Sequence, residues 1–150
     1  MPSSPPHPES EARFTEAESL FGAGQLARSE VLYQQTAHEG PHAATACYRL
    51  GQISRRLGRA SEAGVWLNQA LVHNPRWPDA YHELALVCLA TQKVTEAVTS
   101  LHKALEQEPS HLASRRLLAD LTRSLGRWRE AVRHYAELLP LQPTDPILFQ

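Results

Sequence analysis

The chain has 150 residues, with 15 Lys and Arg against 16 Asp and Glu and a formal net charge of −1. This balance excludes strongly basic nucleic-acid binders and polybasic membrane-surface proteins, whose affinity depends on clustered positive charge. With 42% hydrophobic and 21% charged residues the chain can bury a core, and no apolar run approaches the roughly 18 residues of a membrane span. We expect a globular protein with no nucleic-acid partner and no membrane insertion.

Residues 1–9 form a separate region rich in proline and serine. Four of the 11 prolines lie here: Pro2, Pro5, Pro6 and Pro8. Because proline lacks a backbone donor and has a fixed φ, this density predicts a disordered leader. The leader lacks the apolar stretch of a secretory signal, so we expect a cytoplasmic protein.

Four of the later prolines and three glycines recur with a period of 34 residues. Two sets follow this period: Pro41, Pro75, Pro109 and Pro143, and Gly24, Gly58 and Gly126. Gln92 stands at the position of the missing glycine. Two interleaved series with one period indicate an internal repeat.

Apolar residues fall into register when the sequence is aligned on this period. Examples are Leu50, Leu84 and Leu118, and Tyr33, Leu67, Leu101 and Tyr135. Apolar residues three and four apart in each block predict two amphipathic helices, separated by the glycine turn and followed by the proline. The first helices are predicted at 11–22, 44–57, 78–91 and 112–125, and the second helices at 26–38, 60–72, 94–106 and 128–139.

This pattern resembles the tetratricopeptide repeat (TPR) family, whose 34-residue unit carries an aromatic residue, Leu-Gly, Ala, an aromatic residue and a closing Pro. One block supplies Tyr81, Leu84, Ala85, Ala97, Leu101, Ala104 and Pro109. The resemblance covers residues 10–145 and implies an all-α fold, a right-handed superhelical α-solenoid of antiparallel helix pairs. Its repeats are expected at 10–43, 44–77, 78–111 and 112–145, with 146–150 as the truncated start of a fifth.

Three residues depart from the family pattern. Glu16 stands where leucine is expected, which suits an N-terminal capping repeat whose outer face meets water. Cys47 and Arg115 stand at positions that are usually aromatic. The small residue Gly51 is expected to permit close approach of the paired helices.

The string from His38 to His42 reads HExxH, the signature of zinc proteases. That chemistry needs both histidines on one face of a continuous helix. Gly40 and Pro41 lie between them, where a helix must stop. We therefore predict a loop and no metal site.

The string from Gly22 to Ala27 fits the loose dinucleotide fingerprint G-x-G-x-x-A. That motif holds pyrophosphate only when a strand precedes it and a helix follows. A predicted helix precedes it here. We therefore predict no cofactor, and no group of side chains nominates a catalytic site.

Cysteine and tryptophan positions give further expectations. Cys47 and Cys88 lie at core-facing positions and are predicted to be buried free thiols. Trp128 is predicted to lie in the core. Trp66 and Trp77 lie nearer the outer surface or a repeat junction and are candidate contact residues, since aromatic residues favour interfaces.

In the family that this chain resembles, the first helices of successive repeats line a concave groove that holds a peptide or a partner helix. Helical geometry selects the side chains that lie opposite the buried stripes. The predicted groove residues are Phe14, Glu18, Phe21, Tyr48, Arg49, Gln52, Arg55, Arg56, Asp79, His82, Glu83, Leu86, Leu89, Arg116, Leu117, Asp120 and Arg123. Arginines and carboxylates there flank an exposed apolar floor, which favours a binding surface. We predict a partner segment with acidic residues around an apolar centre.

One TPR subclass grips the carboxylates of chaperone tails with lysine and asparagine. The corresponding positions here carry residues such as Phe14, Glu18, Arg49, Asp79 and Glu83. Because these residues do not form a lysine–asparagine clamp, chaperone-tail recognition is not expected.

Two functional hypotheses remain. The first is a non-enzymatic scaffold or adaptor that binds a protein or peptide segment. The second is the substrate-docking region of a larger enzyme, such as a TPR-containing glycosyltransferase, sulfotransferase or protein hydroxylase. Apolar residues near the C-terminal end also predict self-association through that end. They are Leu138, Leu139, Leu141, Ile147, Leu148 and Phe149.

Overall fold

A computed structural model describes residues 8–38 and 40–141, and the regular elements within them are eight helices without a strand. They are α1 (Pro8–Gly22), α2 (Leu26–Thr36), α3 (Ala43–Arg56), α4 (Ala60–His73), α5 (Pro78–Ala90), α6 (Val94–Gln107), α7 (Leu112–Ser124) and α8 (Trp128–Leu138). The all-α fold is confirmed, and each helix bound lies within about three residues of its predicted place. Within the described ranges no helix is long and apolar enough to cross a membrane. Of the residues predicted to drive self-association, Leu138 is buried, Leu139 is 42% exposed and Leu141 is 38% exposed. The other three, 147–149, lie outside the described ranges.

The helices belong to two compact units. The first unit ends at Arg76 and holds α1 to α4, and the second begins at Trp77 and holds α5 to α8. In the first unit α1 packs on α2, α3 packs on α4, and α2 contacts α3. The second unit repeats this order with α5 on α6, α7 on α8, and α6 against α7. Each unit is therefore two helical hairpins, joined by the second helix of one and the first helix of the next.

Each hairpin turn requires a residue with left-handed backbone. In the third hairpin the Gln92 N–H donates to the Leu89 carbonyl at 3.1 Å, and the Lys93 N–H donates to the Cys88 carbonyl at 2.8 Å. This pattern closes a helix through a residue of positive φ, usually glycine. Gln92 has a φ of 60°, and the glycines of the other three turns have φ between 74° and 77°. Gln92 therefore adopts the glycine conformation, as its place in the repeat predicted.

Small and apolar residues fill the space between the paired helices. In the first unit Leu50, Ile53 and Leu67 are fully buried. A Cβ added at Gly51 would lie 2.6 Å from the Cγ of Leu67, so the missing side chain lets α3 approach α4 closely. In the second unit one cluster joins three helices of the core: Ala85, Cys88, Ala97, Leu101, Leu105 and Leu118.

The cysteine prediction is confirmed and the tryptophan prediction is wrong. Cys47 and Cys88 are buried free thiols, and burial raises the pKa of both. Trp128 is 65% exposed. The buried residues of α8 are Ala131, His134 and Leu138, and Trp128, at the first position of that helix, is not among them. Trp66 and Trp77 are half-buried.

Candidate peptide-binding surface

Eight of the 17 predicted groove residues lie in the first unit and nine lie in the second. In the first unit seven of the eight belong to one network of contacts that includes the ring of Phe21. We call this the Phe21 surface, formed by Phe14, Glu18 and Phe21 of α1 and Tyr48, Arg49, Gln52 and Arg56 of α3. The sequence predicts that the first helices of the hairpins carry the binding surface. The Phe21 surface lies on α1 and α3, which are the first helices of their hairpins.

Glu18 and Arg49 form the polar centre of the Phe21 surface. The Arg49 Nε and Nη2 donate to the two Glu18 carboxylate oxygens at 3.0 and 3.1 Å. The Tyr33 hydroxyl of α2 donates to the same carboxylate at 2.5 Å. A forked pair of this kind fixes both side chains. Arg49 was predicted to meet a partner, and its guanidinium is instead occupied within the chain.

The pKa values of the two acids follow from these contacts. Burial alone would raise the pKa of Glu18, but the hydrogen bonds from Arg49 and Tyr33 and the charge of Arg49 outweigh it and lower that pKa. Burial and the hydrogen bond to Glu18 raise the pKa of Tyr33 well above its ordinary value. The network is therefore a fixed carboxylate–guanidinium pair with a neutral phenol.

The Phe21 ring lies against two guanidinium groups. The Arg49 Cζ is 4.6 Å from the ring centre and the Arg56 Cζ is 5.0 Å from it. Tyr33 meets the same ring edge-on, with 6.3 Å between the ring centres. A guanidinium group within about 6 Å of a ring centre is attracted to the ring face, so both arginines are held at Phe21. Arg56 is exposed and Phe21 is half-buried.

Gln52 was predicted to be open and is 8% exposed. Its amide nitrogen donates to the Tyr48 hydroxyl at 3.2 Å, and its amide oxygen accepts from the Arg49 Nη1 at 3.1 Å. Gln52 therefore orients its neighbours rather than facing solvent. Tyr48 and Arg55 are half-buried.

Phe14 contacts His42, the last residue of the HExxH string. The Phe14 ring stacks on His42, with 4.0 Å between ring centres and an interplanar angle of 9°. The His42 Nε2 lies 2.6 Å from a carboxylate oxygen of Glu11. His42 is thus engaged by α1, and Glu39 lies outside the described residues. Residues 8–38 and 40–141 hold no group of three or more His, Cys, Asp or Glu side chains arranged to bind a metal ion.

In the second unit most predicted groove residues are engaged elsewhere. Leu89 and Leu117 are half-buried and pack against the core cluster, so the prediction that they form an open floor is wrong. Glu83 is 7% exposed rather than open. The physical reason is that a neighbouring helix covers positions that a single helix would leave in solvent. Leu86 is half-buried and Arg116 is exposed.

Asp120 and Arg123 repeat part of the pattern of the first unit. The Tyr135 hydroxyl donates to Asp120 Oδ1 at 2.5 Å, with the spacing of 15 residues that also separates Tyr33 from Glu18. The Arg123 Nη2 lies 3.9 Å from the same carboxylate oxygen. Both partners of this ion pair are about half exposed.

An Asp–His–Ser arrangement, which the sequence did not single out, lies between α5 and α7. The His111 Nε2 is 2.7 Å from Asp79 Oδ1, and its Nδ1 is 2.8 Å from the Ser114 hydroxyl. The backbone N–H of Ser114 also donates to His111 Nδ1 at 3.3 Å, which caps α7. Ser114 is fully buried, so its hydroxyl cannot reach an external substrate. His82, predicted in the groove, approaches Ser114 at 3.5 Å.

The 32-residue separation of Asp79 and His111 is close to the repeat length. Asp79 lies at the start of α5, and His111 lies at the start of α7, the first helix of the next hairpin. The repeat spacing is the one feature of the sequence that could have predicted their contact. Arg115, at an aromatic position of the family pattern, is likewise engaged, with Glu137 and with the Pro109 carbonyl at 3.0 Å. Both are structural contacts.

Family models described as tetratricopeptide repeat match residues 14–81 and 78–144. The chain belongs to the TPR family. A curated relative, cellulose synthase 1 operon protein C of Komagataeibacter xylinus, is 25% identical over 158 residues. That match covers 97% of this chain and only 12% of the relative's length.

Solved structures of other TPR proteins share the fold. MamA has a TM-score of 0.82 at 19% identity, covering 89% of this chain and 78% of its own. YrrB, described as having an unusual peptide-binding site, has a TM-score of 0.75 at 21% identity, with 91% and 71% covered. The first TPR of Spaghetti, bound to an HSP90 peptide, has a TM-score of 0.72 at 20% identity, with 78% and 93% covered. At these identities the likeness shows the fold, and these TPR neighbours include peptide binders.

Proposed function

We propose that this TPR protein is a non-enzymatic interaction module that binds a peptide segment on the Phe21 surface. The observation that carries the proposal is the Phe21 ring held against two guanidinium groups, of which the Arg56 group is exposed. A half-buried ring beside an exposed cation offers apolar contact and charge at one place. Peptide binding by TPR neighbours supports the same role.

Arg49 and Arg56 have different tasks in this proposal. Arg49 is neutralised by Glu18, so it holds the ring and offers no free charge. Arg56 rests on the same ring and pairs with a carboxylate of the partner. The preferred segment then places an apolar side chain on Phe21 with an Asp or Glu next to it.

The apolar contact supplies most of the affinity, because an exposed ion pair contributes only about 0.2–1 kcal/mol. Arg56 sets the orientation and the association rate, and its effect weakens as salt screens it. Contacts from Leu86, Arg116 and Arg123 of the second unit stay a prediction. So does the alternative role as the docking region of a larger enzyme, since the chain spans 12% of its curated relative.

Random peptides displayed on phage and selected on the 150-residue chain test the proposal. We expect a consensus of one large apolar residue flanked by Asp or Glu. Phe21→Ala should weaken a selected peptide about tenfold or more, as for a central aromatic contact, and Arg56→Glu should lower affinity and reverse its salt dependence. Arg13→Ala, which changes an exposed arginine of α1 paired with Glu9, is the matched control. Unchanged binding by both Phe21→Ala and Arg56→Glu would overturn the proposal.

A further inference from the structure

The outer face of α8 carries exposed apolar side chains that the Phe21 surface does not use. Trp128 is 65% exposed, Val132 is 66% exposed, and Leu139, next to the helix end, is 42% exposed. Separations of four and seven residues place the three on one side of a helix. We call these residues the α8 stripe.

The repeat shows what covers the equivalent positions elsewhere. One repeat earlier, the α8 stripe corresponds to Val94, Val98 and Leu105 of α6. Val98 and Leu105 pack in the cluster that contains Leu118 of α7, and α6 contacts α7. The stripe is therefore the kind of surface on which the first helix of a following hairpin lies.

The helix α1 is a first helix whose corresponding face is open. Its residues Ala12 and Glu16 correspond to Ser114 and Leu118 of α7. The α7 residues are fully buried, whereas Ala12 and Glu16 are exposed. A shallow cavity of about 630 Å³ lies on this face, lined by Pro8, Glu11, Ala12, Thr15, Glu16 and Ser19. The small side chains of Ala12, Thr15 and Ser19 leave room there for one large side chain of a partner.

The two faces carry opposite charge. Arg129 and Arg133 are exposed on α8 beside the stripe. Glu16 is exposed at the α1 cavity, and the exposed Glu9 lies about two helical turns before it. Arg129, Arg133 and Glu16 have no ion-pair partner among the residues that the structure describes. Two α8 stripes packed antiparallel on each other would instead bring Arg129 and Arg133 against their own copies, which like-charge repulsion disfavours.

We propose that a second copy of this chain docks its α1 face on the α8 stripe of the first copy, head to tail. Trp128 enters the α1 cavity, and Glu16 of the second copy faces the arginines beside the stripe. Such a contact is heterologous, since each copy uses two different surfaces. It continues between copies the packing that α6 and α7 show within one chain. The contact is independent of the Phe21 surface.

Sedimentation of the 150-residue chain over a range of concentrations tests the contact with one variant at each surface. Trp128→Asp disables the α8 stripe, and Ala12→Arg fills and recharges the α1 cavity; both positions are exposed, and circular dichroism checks the fold. We expect wild type to associate with concentration, and each variant to associate at least about tenfold more weakly. Val65→Ser, a change at a 61% exposed valine of α4, is the matched control and should associate as wild type does.

Mixing the two variants gives the decisive result. Trp128→Asp keeps the α1 face and Ala12→Arg keeps the α8 stripe, so an equimolar mixture should form a one-to-one dimer and nothing larger. If Ala12→Arg associates as wild type while Trp128→Asp does not, the occupant of the stripe is not the α1 face and the proposal is wrong. A wild-type chain that stays monomeric at every concentration overturns it as well.

Discussion

The first and second units contain the same tyrosine–carboxylate pair in different surroundings. Tyr33 donates to Glu18, and Tyr135 donates to Asp120, each across 15 residues at 2.5 Å. Glu18 is also gripped through both oxygens by Arg49, which comes from the next hairpin. Among the described residues, the basic partner of Asp120 is Arg123 of its own helix, at 3.9 Å.

The pair in the first unit is also more deeply buried than the pair in the second. Tyr33 is fully buried, whereas Tyr135 is half-buried and Asp120 is exposed. A hydrogen bond to a charged group contributes more where water is excluded and where the charge has a second fixed partner. The same local pair therefore fixes a surface in one unit and is a minor contact in the other.

Among the substitutions that test this comparison, Glu18→Gln should change the free energy of unfolding most. It removes the charge that neutralises half-buried Arg49 and weakens the acceptor of Tyr33. We expect a loss of about 2 kcal/mol in the free energy of unfolding, since charged hydrogen bonds contribute about 1.5–3 kcal/mol. Asp120→Asn is the matched control and should cost about 0.5 kcal/mol or less, as for exposed pairs. Urea unfolding measures both, and equal losses would show that the next-hairpin arginine adds nothing.

Lowering the pH should reduce the difference in the free energy of unfolding between wild type and Glu18→Gln. The pKa of Glu18 is lowered in the folded state by Arg49 and Tyr33, which outweigh burial. A lowered folded pKa means that the carboxylate stabilises the fold above the unfolded value of about 4.3, and that this stability is lost as the pH falls through the folded pKa. Urea unfolding at pH 7 and at steps below pH 4.3 should show wild type losing stability more steeply than Glu18→Gln. A gap that stays constant with pH would contradict this account.

The helices and turns could be predicted from the sequence because they follow one period. The 34-residue spacing placed Gln92 in a glycine position and Glu16 on an exposed face, and both are found there. Which groove residues stay open could not be predicted from the same spacing. In an isolated helix Gln52, Glu83 and Leu117 would all face solvent. In the folded chain neighbouring helices cover them, and the spacing within one helix does not show this.

Contacts between hairpins were also beyond the periodic pattern. Arg49 and Glu18 are 31 residues apart, and composition gives no reason to pair them rather than two other charges. The sequence predicts Trp128 in the core because it falls on an apolar stripe of α8, and the pattern alone does not show whether a further helix covers that stripe. Its 65% exposure is the observation from which the head-to-tail contact follows.

Gln92→Gly should give the smallest effect, and the effect should be stabilising. The second unit holds a glutamine with φ of 60° in a turn where the first unit has Gly24 and Gly58, with φ of 76° and 77°. A residue with a Cβ costs roughly 1–2 kcal/mol in left-handed backbone, and the extra freedom of glycine in the unfolded chain offsets roughly 0.5–1 kcal/mol of that gain. We expect a net gain of about 0.5 kcal/mol or slightly more, measured by urea unfolding. Gly58→Gln, the reverse change in the first unit, should lose a comparable amount, because nothing lies within 4 Å of its added Cβ and only the backbone changes. A loss on Gln92→Gly would mean that the glutamine side chain, rather than the turn, sets the stability of the third hairpin.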